Sequence, residues 1–108
     1  MKLDHVAINV SSIFNAVSYY KDTYGAEVTY EDSSWAMLKI GDTKIALVLE
    51  DQHRPHMAFQ CNSFDDFPNG SEIKMHRDGS FYSYESDPYG NVIERIYYPD
   101  KSNLNYEE

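Results

Sequence analysis

The chain is poor in cysteine. Cys61 is its one cysteine among 108 residues, so no disulfide can form within the chain and no cysteine-based metal motif is present. Cys61 lies in an apolar strand pattern and is interpreted as a small core residue. A single reduced cysteine is typical of a reducing compartment, so we expect a cytoplasmic protein.

Basic residues are also scarce. Nine Lys and Arg stand against eighteen Asp and Glu, which gives a formal net charge of −9. The nine cations are scattered, whereas a phosphate-binding surface needs them clustered, so we expect neither nucleic acid nor an anionic membrane as a partner. No apolar run approaches the length that spans a bilayer, and the N-terminal residues enter a strand pattern without the apolar core of a signal peptide.

The sequence does contain a regular series of strand and helix patterns. Its 108 residues predict one domain over the whole chain, with modules at about residues 1–50 and 55–100 and a polar C-terminal tail at 101–108. Ser11 or Ser12 begins the one long helix, Gly25 provides its C-terminal cap, and Asp78-Gly79 marks a later turn. The segment 62–70 is too short for a full helix. Alternating apolar residues predict eight strands, at 3–10, 26–31, 34–40, 43–49, 56–61, 71–76, 80–85 and 91–98.

The two modules share a faint repeat. His5-Val-Ala-Ile-Asn-Val10 and His56-Met-Ala-Phe-Gln-Cys61 both read His-apolar-Ala-apolar-amide-apolar. Each stretch begins a series of strand, helix and three strands, and the second helix is shortened. The predicted fold class is therefore α+β, with two βαβββ modules.

Three polar residues stand on strand faces that are otherwise mixed or apolar. His5 and His56 each begin the mixed face of a strand, because side chains alternate with period two. Glu94 shares a face of the last strand with Val92 and Ile96, where an unpaired charge is costly. Two neutral imidazoles and one carboxylate form a metal-ligand set that leaves coordination positions open. Hydrogen bonding or a surface position also explains each residue taken alone, so the pattern leaves both interpretations open.

The motifs around these residues resemble the signature strands of one superfamily. Leu3-Asp-His-Val-Ala-Ile-Asn-Val10, Pro55-His-Met-Ala-Phe59 and Asp87-Pro-Tyr-Gly-Asn-Val-Ile-Glu94 are similar, in content and order, to those of the vicinal oxygen chelate superfamily. That superfamily includes glyoxalase I, extradiol dioxygenases and bleomycin-resistance proteins. The resemblance covers nearly the whole chain, and it implies two modules whose mixed sheets curl around a cavity.

The resemblance also implies a divalent-metal site. His5, His56 and Glu94 match the metal-binding positions of the superfamily, and this set suits Fe(II), Mn(II) or Zn(II). The fourth position of glyoxalase I falls on Leu47, which cannot bind a metal, and Glu50 is out of phase with it by one alternation. The implied substrate is a small molecule whose two vicinal oxygens chelate the metal, and the implied assembly is a homodimer.

The sequence indicates candidates for proton transfer and for a pocket lining less clearly than it indicates the metal ligands. The candidates for proton transfer lie on the strands near the predicted carboxylate ligand: His76, Tyr82, Tyr84 and Glu85. An exposed turn position also explains His76, and ordinary packing also explains the tyrosines. The candidates for a pocket lining share faces with the histidines or form an apolar wall: Asn9, Trp35, Met37 and Gln60. Core or interface packing explains these four residues as well.

Three functions are consistent with these patterns. The first is a metal-dependent lyase, isomerase or dioxygenase that acts on a small oxygen-rich molecule, and the retained ligand set favours it. The second is a non-catalytic module that binds a small ligand, like the bleomycin-resistance proteins, and it needs no metal. The third is a partner-binding or structural protein that keeps only the fold.

Overall fold

The computed structural model describes residues 1–76 and 79–99. Within these ranges it contains one α-helix, α1 (Ile13–Tyr24), one 3-10 helix (Phe64–Asp66) and eight strands. The strands are β1 (Lys2–Val10), β2 (Glu27–Glu31), β3 (Trp35–Ile40), β4 (Thr43–Leu49), β5 (His56–Gln60), β6 (Lys74–Met75), β7 (Phe81–Ser86) and β8 (Val92–Tyr97). None of the described helices has the length and apolar character needed to cross a bilayer.

The chain divides into two compact units. The first unit is Asp4–Met57, and the second combines Met1–Leu3 with the chain from Ala58 onward. The first unit orders its strands β2-β3-β4-β1, and the second orders them β5-β8-β7-β6. In the first unit β1 and β4 are parallel, whereas β3 is antiparallel to both of its neighbours. In the second unit β7 is antiparallel to β6 and β8.

Helix α1 follows the start and stop signals of the sequence. The Ser12 hydroxyl accepts a hydrogen bond from the backbone N–H of Asn15 at 3.2 Å, which caps the first turn. At the other end Gly25 adopts a left-handed φ of 70°, and its N–H donates to the Lys21 carbonyl at 3.0 Å. The helix packs on one face of the first unit's sheet through a shared buried cluster of Ile13, Val17, Ala26, Ala36, Leu38 and Leu47.

The second unit replaces the long helix with a single 3-10 turn. Phe67, just after this turn, is buried. Phe64 remains half-exposed, and its ring packs edge-on against Phe81 and Tyr97, with centroids 5.0 Å and 4.9 Å away. Aromatic contacts therefore hold a segment that is too short to present a helical apolar stripe.

The α+β class and the two modules of strand, helix and three strands, with the second helix shortened, are confirmed. Cys61 is a core residue with 2% exposure, as predicted. The strand predicted at 71–76 is wrong in length, because the N–H and hydroxyl of Ser71 both donate to the Pro68 carbonyl in a turn and only Lys74–Met75 pairs. The tail at 101–108 and Asp78 of the predicted turn lie outside the described residues, and the single-domain organisation stays a prediction.

Candidate functional site

His5 lies on β1 with its side chain buried. Its Nδ1 is 2.8 Å from Oδ2 of Asp4, which is also buried. Because an ionised carboxylate only accepts hydrogen bonds, Nδ1 of His5 carries the proton and donates it. In the neutral ring Nε2 then holds the lone pair, and a nitrogen lone pair is what a metal ion needs.

Asp4 has a second partner in the same unit. Nζ of Lys44 donates to its Oδ1 at 3.3 Å. Burial raises the pKa of Asp4, but the hydrogen bond from His5 and the positive charge of Lys44 outweigh burial, so the pKa lies below its ordinary value of 3.8. Asp4 is therefore a carboxylate at neutral pH and remains an acceptor for His5.

His56, the first residue of β5, presents the same arrangement. Its Nδ1 is 2.9 Å from the backbone carbonyl oxygen of Arg54. A carbonyl also only accepts, so Nδ1 is again protonated and Nε2 again holds the lone pair. The rings of His5 and His56 meet edge to face with centroids 5.8 Å apart. The first unit thus brings together two histidines in the same tautomer.

An apolar wall stands on the face of His5. Trp35 and Met37 pack against three buried residues, Ala7, Ala46 and Val48. Ala7 lies two residues after His5 on β1, so the two side chains point to the same side of the strand. Trp35 is also stacked on Tyr30, with 4.3 Å between ring centroids. Both predicted wall residues therefore lie on the histidine side of the first unit.

The two predicted amide residues have different surroundings. Nδ2 of Asn9 donates to the carbonyl of His53 at 2.9 Å and to that of Val48 at 3.4 Å. Asn9 therefore ties the connector between β4 and β5 to β1. This contact fixes the segment that carries His53, whose ring centroid is 6.4 Å from that of His56. Gln60 is half-buried at the end of β5.

The comparison of Leu47 with the fourth metal ligand of glyoxalase I is wrong. Leu47 is fully buried on the helix side of the sheet, whereas Ala46 and Val48 belong to the cluster on the histidine side. A fourth ligand beside His5 must come from the histidine side of β4, so position 47 is the wrong position for that comparison. The side chains that β4 turns to this side are those of Lys44, Ala46 and Val48, and none of them is a carboxylate or an imidazole. Glu50 follows β4 in an exposed turn.

Glu94 lies on β8 and is 2% exposed. Nε2–H of His76 donates to its Oε2 at 3.1 Å. Tyr84 stands directly opposite Glu94 in the β7–β8 ladder, and the side chains of opposite residues share a face. The second unit therefore brings His76 and Tyr84 to the buried carboxylate.

Stacked rings connect the remaining candidates on this face. The His76 imidazole lies on the Tyr82 ring, with 3.8 Å between centroids and an angle of 12°. Tyr84 meets Tyr82 edge-on at 5.6 Å. Burial raises the pKa of Tyr84, and the negative charge of Glu94 and the neighbouring Tyr82 raise it further. The phenol of Tyr84 is therefore protonated at neutral pH.

Glu85, the fourth candidate for proton transfer, lies elsewhere. Its carboxylate accepts two hydrogen bonds from Arg95, from Nε at 2.9 Å and from Nη2 at 3.1 Å. Nη1 of Arg95 also donates to the Asp66 carbonyl. Because neighbouring residues alternate, Glu85 and Arg95 lie on the side of the strands opposite to Tyr84 and Glu94. Glu85 and Arg95 therefore form an ion pair away from Glu94.

The motif that precedes Glu94 builds a turn. Oδ1 of Asp87 accepts hydrogen bonds from the backbone N–H groups of Tyr89 and Asn91, both at 2.8 Å, and Nδ2 of Asn91 donates to Oδ2 at 2.9 Å. The hydrogen bonds from Asn91 hold the pKa of Asp87 below its usual value. Gly90 adopts a φ of 88°, which favours glycine. The acid, the glycine and the amide thus set the register that places Tyr84 opposite Glu94.

The hydrogen-bond partners of the two histidines were missed by the sequence analysis. Asp4 directly precedes His5, and this adjacency was the available signal. The Arg54 carbonyl belongs to the backbone, so it leaves no trace in the side-chain pattern. Lys44 reaches Asp4 across 40 positions of the chain, and the pairing of β1 with β4 creates that contact.

A separate groove of about 480 Å³ lies in the first unit at the start of α1. None of the predicted site residues lines it. Its walls are Ser11, Ser12, Ile13, Phe14, Glu31, Asp32, Ser33 and Leu49.

The model of the Glyoxalase/Bleomycin resistance protein/Dioxygenase superfamily matches residues 2–95. A search of curated proteins found no significant match.

Solved structures match over almost the full length. Methylmalonyl-CoA epimerase from Mycobacterium tuberculosis superposes with a TM-score of 0.73 at 19% identity, covering 94% of this chain and 91% of that chain. A Streptomyces coelicolor methylmalonyl-CoA epimerase variant in complex with 2-nitronate-propionyl-CoA gives a TM-score of 0.69 at 21% identity, covering 90% and 96%. A superfamily member from Vibrio splendidus 12B01 gives 0.65 at 16%, covering 89% and 98%. At these identities the likeness shows the shared fold.

Proposed function

Because this chain belongs to the Glyoxalase/Bleomycin resistance protein/Dioxygenase superfamily, we propose that it is a metal-dependent enzyme acting on a small substrate with vicinal oxygens. The proposed reaction class is a lyase, isomerase or dioxygenase step. The proposed metal ligands are His5, His56 and Glu94. We further propose that it functions as a homodimer in the cytoplasm.

One observation carries this proposal: the two histidines of the first unit share a tautomer. Metal-binding histidines in proteins usually donate their second ring N–H to a carboxylate or a backbone carbonyl. His5 has a carboxylate partner in Asp4, and His56 has a carbonyl partner in Arg54. Two adjacent imidazoles with the same orienting bond at Nδ1 are what a metal site requires of its histidines, and ordinary packing does not require it.

The burial of Glu94 supports the third ligand. A carboxylate with a 3% exposed side chain needs compensation for lost hydration. The neighbouring cation, Arg95, is engaged by Glu85 on the other side of the strands. His76 donates one hydrogen bond to Oε2, and a carboxylate has several acceptor positions on its two oxygens. A divalent metal ion is a partner that would stabilise such a buried negative charge.

Two imidazoles and one carboxylate suit Fe(II), Mn(II) or Zn(II), with positions left for substrate. When bound, such a metal supplies Lewis acidity to the oxygens of a chelating substrate. Asp4 and the Arg54 carbonyl hold the imidazoles, and Trp35 with Met37 gives the histidine side an apolar wall. Tyr84, which stays protonated, would donate a hydrogen bond to an anionic substrate atom.

The matched epimerases suggest one substrate to include in a screen. These epimerases are named for methylmalonyl-CoA, a coenzyme A thioester, and one is complexed with 2-nitronate-propionyl-CoA. A coenzyme A ester carries several phosphate charges, whereas this chain has a net charge of −9. Two of its cations, Lys44 and Arg95, are held by carboxylates. We therefore place vicinal diols, catechols and 2-oxo acids, which carry at most a single carboxylate charge, before coenzyme A esters.

Metal content per chain tests the proposal. Tag-free protein, purified and then reconstituted with Fe(II), Mn(II) or Zn(II), is analysed beside Glu94→Ala and a control variant, Glu85→Ala. We expect about one ion per chain in the parent and the control and a loss in Glu94→Ala. Glu85 is a suitable control because it lies on the neighbouring strand and pairs with Arg95 instead. An absence of metal in the parent under all three conditions would leave a non-catalytic ligand-binding module as the function.

A further inference from the structure

His76 has a contact that surface packing does not explain. Its side chain is 37% exposed, yet its Nε2–H donates to a carboxylate whose side chain is 3% exposed. One interpretation of His76 from the sequence was an exposed position in a turn. The structure instead directs the imidazole inward to Glu94.

Three contacts besides the bond to Glu94 hold His76 in place, one through its ring and two through its backbone. Its ring is stacked on Tyr82 with 3.8 Å between centroids. Its backbone N–H donates to the Ser80 carbonyl at 2.8 Å, and its own carbonyl accepts from Gly79 at 3.0 Å. Ser80 is fully buried, so this anchor belongs to the interior of the second unit. The residue that donates to Glu94 is therefore held by contacts within the second unit itself.

A carboxylate can bind a metal ion through one oxygen or through both. The hydrogen bond from His76 engages Oε2 and reduces the electron density that this oxygen can give to a metal. We propose that His76 is a positioning residue that restricts Glu94 to metal binding through a single oxygen. This inference rests on the proposed function, in which Glu94 is a metal ligand.

The restriction would determine how many positions on the metal stay open. A six-coordinate ion held by three single-atom ligands keeps about three open positions, and a carboxylate bound through both oxygens would reduce them to about two. A substrate with two vicinal oxygens fills two positions, so the third is the one that His76 protects. His76 would thus preserve a place for one more small ligand beside the substrate.

Three substitutions separate the donor from the ring stack. His76→Phe keeps an aromatic ring on Tyr82 but removes the N–H donor. His76→Gln keeps an amide N–H donor of similar reach and loses the ring. Tyr82→Phe keeps the stack and removes only a hydroxyl, so it serves as the control. His76→Leu, which also lacks the donor, replaces the Phe variant should that chain fail to fold.

The measurement is the water-proton relaxation enhancement per bound Mn(II), taken with protein in excess so that all of the ion is bound. It reports the number of exchanging waters on the ion, which a purely structural role of His76 would not change. We expect a fall of about one third in His76→Phe, from three waters to two, and the parent value in His76→Gln and Tyr82→Phe. Parent-like enhancement in His76→Phe would overturn the inference and leave the proposed function standing. A parent protein that binds no Mn(II), Fe(II) or Zn(II) would overturn both.

Discussion

Replacing Asp4 would test the arrangement behind the first proposed ligand. The Asp4 carboxylate accepts the Nδ1 proton of His5 at 2.8 Å, and both side chains are buried. Leucine at this position has similar volume but no acceptor. Asparagine keeps one acceptor oxygen, which is weaker than a carboxylate, and adds an N–H donor that favours the opposite tautomer. We therefore expect the fraction of His5 protonated at Nδ1 to fall in Asp4→Asn and further in Asp4→Leu.

The effect on metal affinity follows from the same bond. Hydrogen-bond partners of metal-binding side chains typically contribute a factor of about 10–100 in affinity. The Asp4 bond is short, buried and charge-assisted, so we expect the loss in Asp4→Leu to be about 100-fold, or about 2.7 kcal/mol. Asp4→Asn retains an acceptor, and we expect a loss of about 10-fold, or about 1.4 kcal/mol.

Two assays separate the tautomer from the affinity. Long-range proton–nitrogen NMR spectra of the metal-free protein, recorded at increasing pH until the ring nitrogen shifts stop changing, identify the protonated ring nitrogen of His5. Competition with a chelator gives the Zn(II) dissociation constant. Asp42→Asn is the matched control, because Asp42 is an exposed acid of the β3–β4 turn in the same unit. The control should keep both the tautomer and the affinity of the parent.

The reasoning would be refuted if His5 in the folded Asp4→Leu protein stayed fully protonated at Nδ1. It would also be refuted if the tautomer changed while the Zn(II) dissociation constant stayed within about twofold of the parent, because the two effects share one cause.

Three further predictions concern stability and reactivity. Leu38→Ala, at a fully buried position under α1, should lower the free energy of unfolding by about 2–5 kcal/mol in urea titrations. Met75→Ala, at a 63% exposed position, should change it by less than about 0.5 kcal/mol. Equal effects of the two substitutions would contradict the assigned core. The folded-state pKa of Asp87 lies below its ordinary value of 3.8, so its stabilising contribution is present above about pH 4 and is lost as the pH falls through the folded value. Denaturation curves from pH 5 to 2 should therefore show a shallower acid limb for Asp87→Asn than for the parent, and identical limbs would disprove this linkage. Burial raises the pKa of the Cys61 thiol and shields it from solvent. Cys61 should therefore react with a thiol reagent many times more slowly in native protein than in urea. A native rate equal to the rate in urea would show that the thiol is accessible.

Local sequence determined most of the backbone. The serine and glycine signals at the two ends of α1 correspond to real caps, and the strand predicted at 43–49 matches β4 at both ends. These features depend on contacts between residues close in the chain and on period-two alternation, which the sequence displays directly. The strand at 71–76 was overestimated because a turn at Ser71 uses the polar groups that a longer strand would have paired.

The sequence also carried the residue types of the candidate site, but their partners could not be found by inspection. The order of His5, His56 and Glu94 within their motifs was sufficient for the family, and these ligands remain a proposal. The bond between His76 and Glu94 joins residues 18 positions apart, and that between Lys44 and Asp4 joins residues 40 apart. Such contacts depend on which strands are neighbours and on their register.

Tertiary structure also decided which side of a strand each residue serves. Alternation shows that Leu47 and Ala46 point to opposite sides, but only the packing of α1 on Leu47 shows which side is the helix side. Similarly, alternation separates Glu85 from Tyr84, and the β7–β8 register then assigns Tyr84 to Glu94 and leaves Glu85 to Arg95. The sequence pattern shows which residues of a strand share a face. Which of the two faces packs against the helix is decided by the free energy of burying the whole sheet.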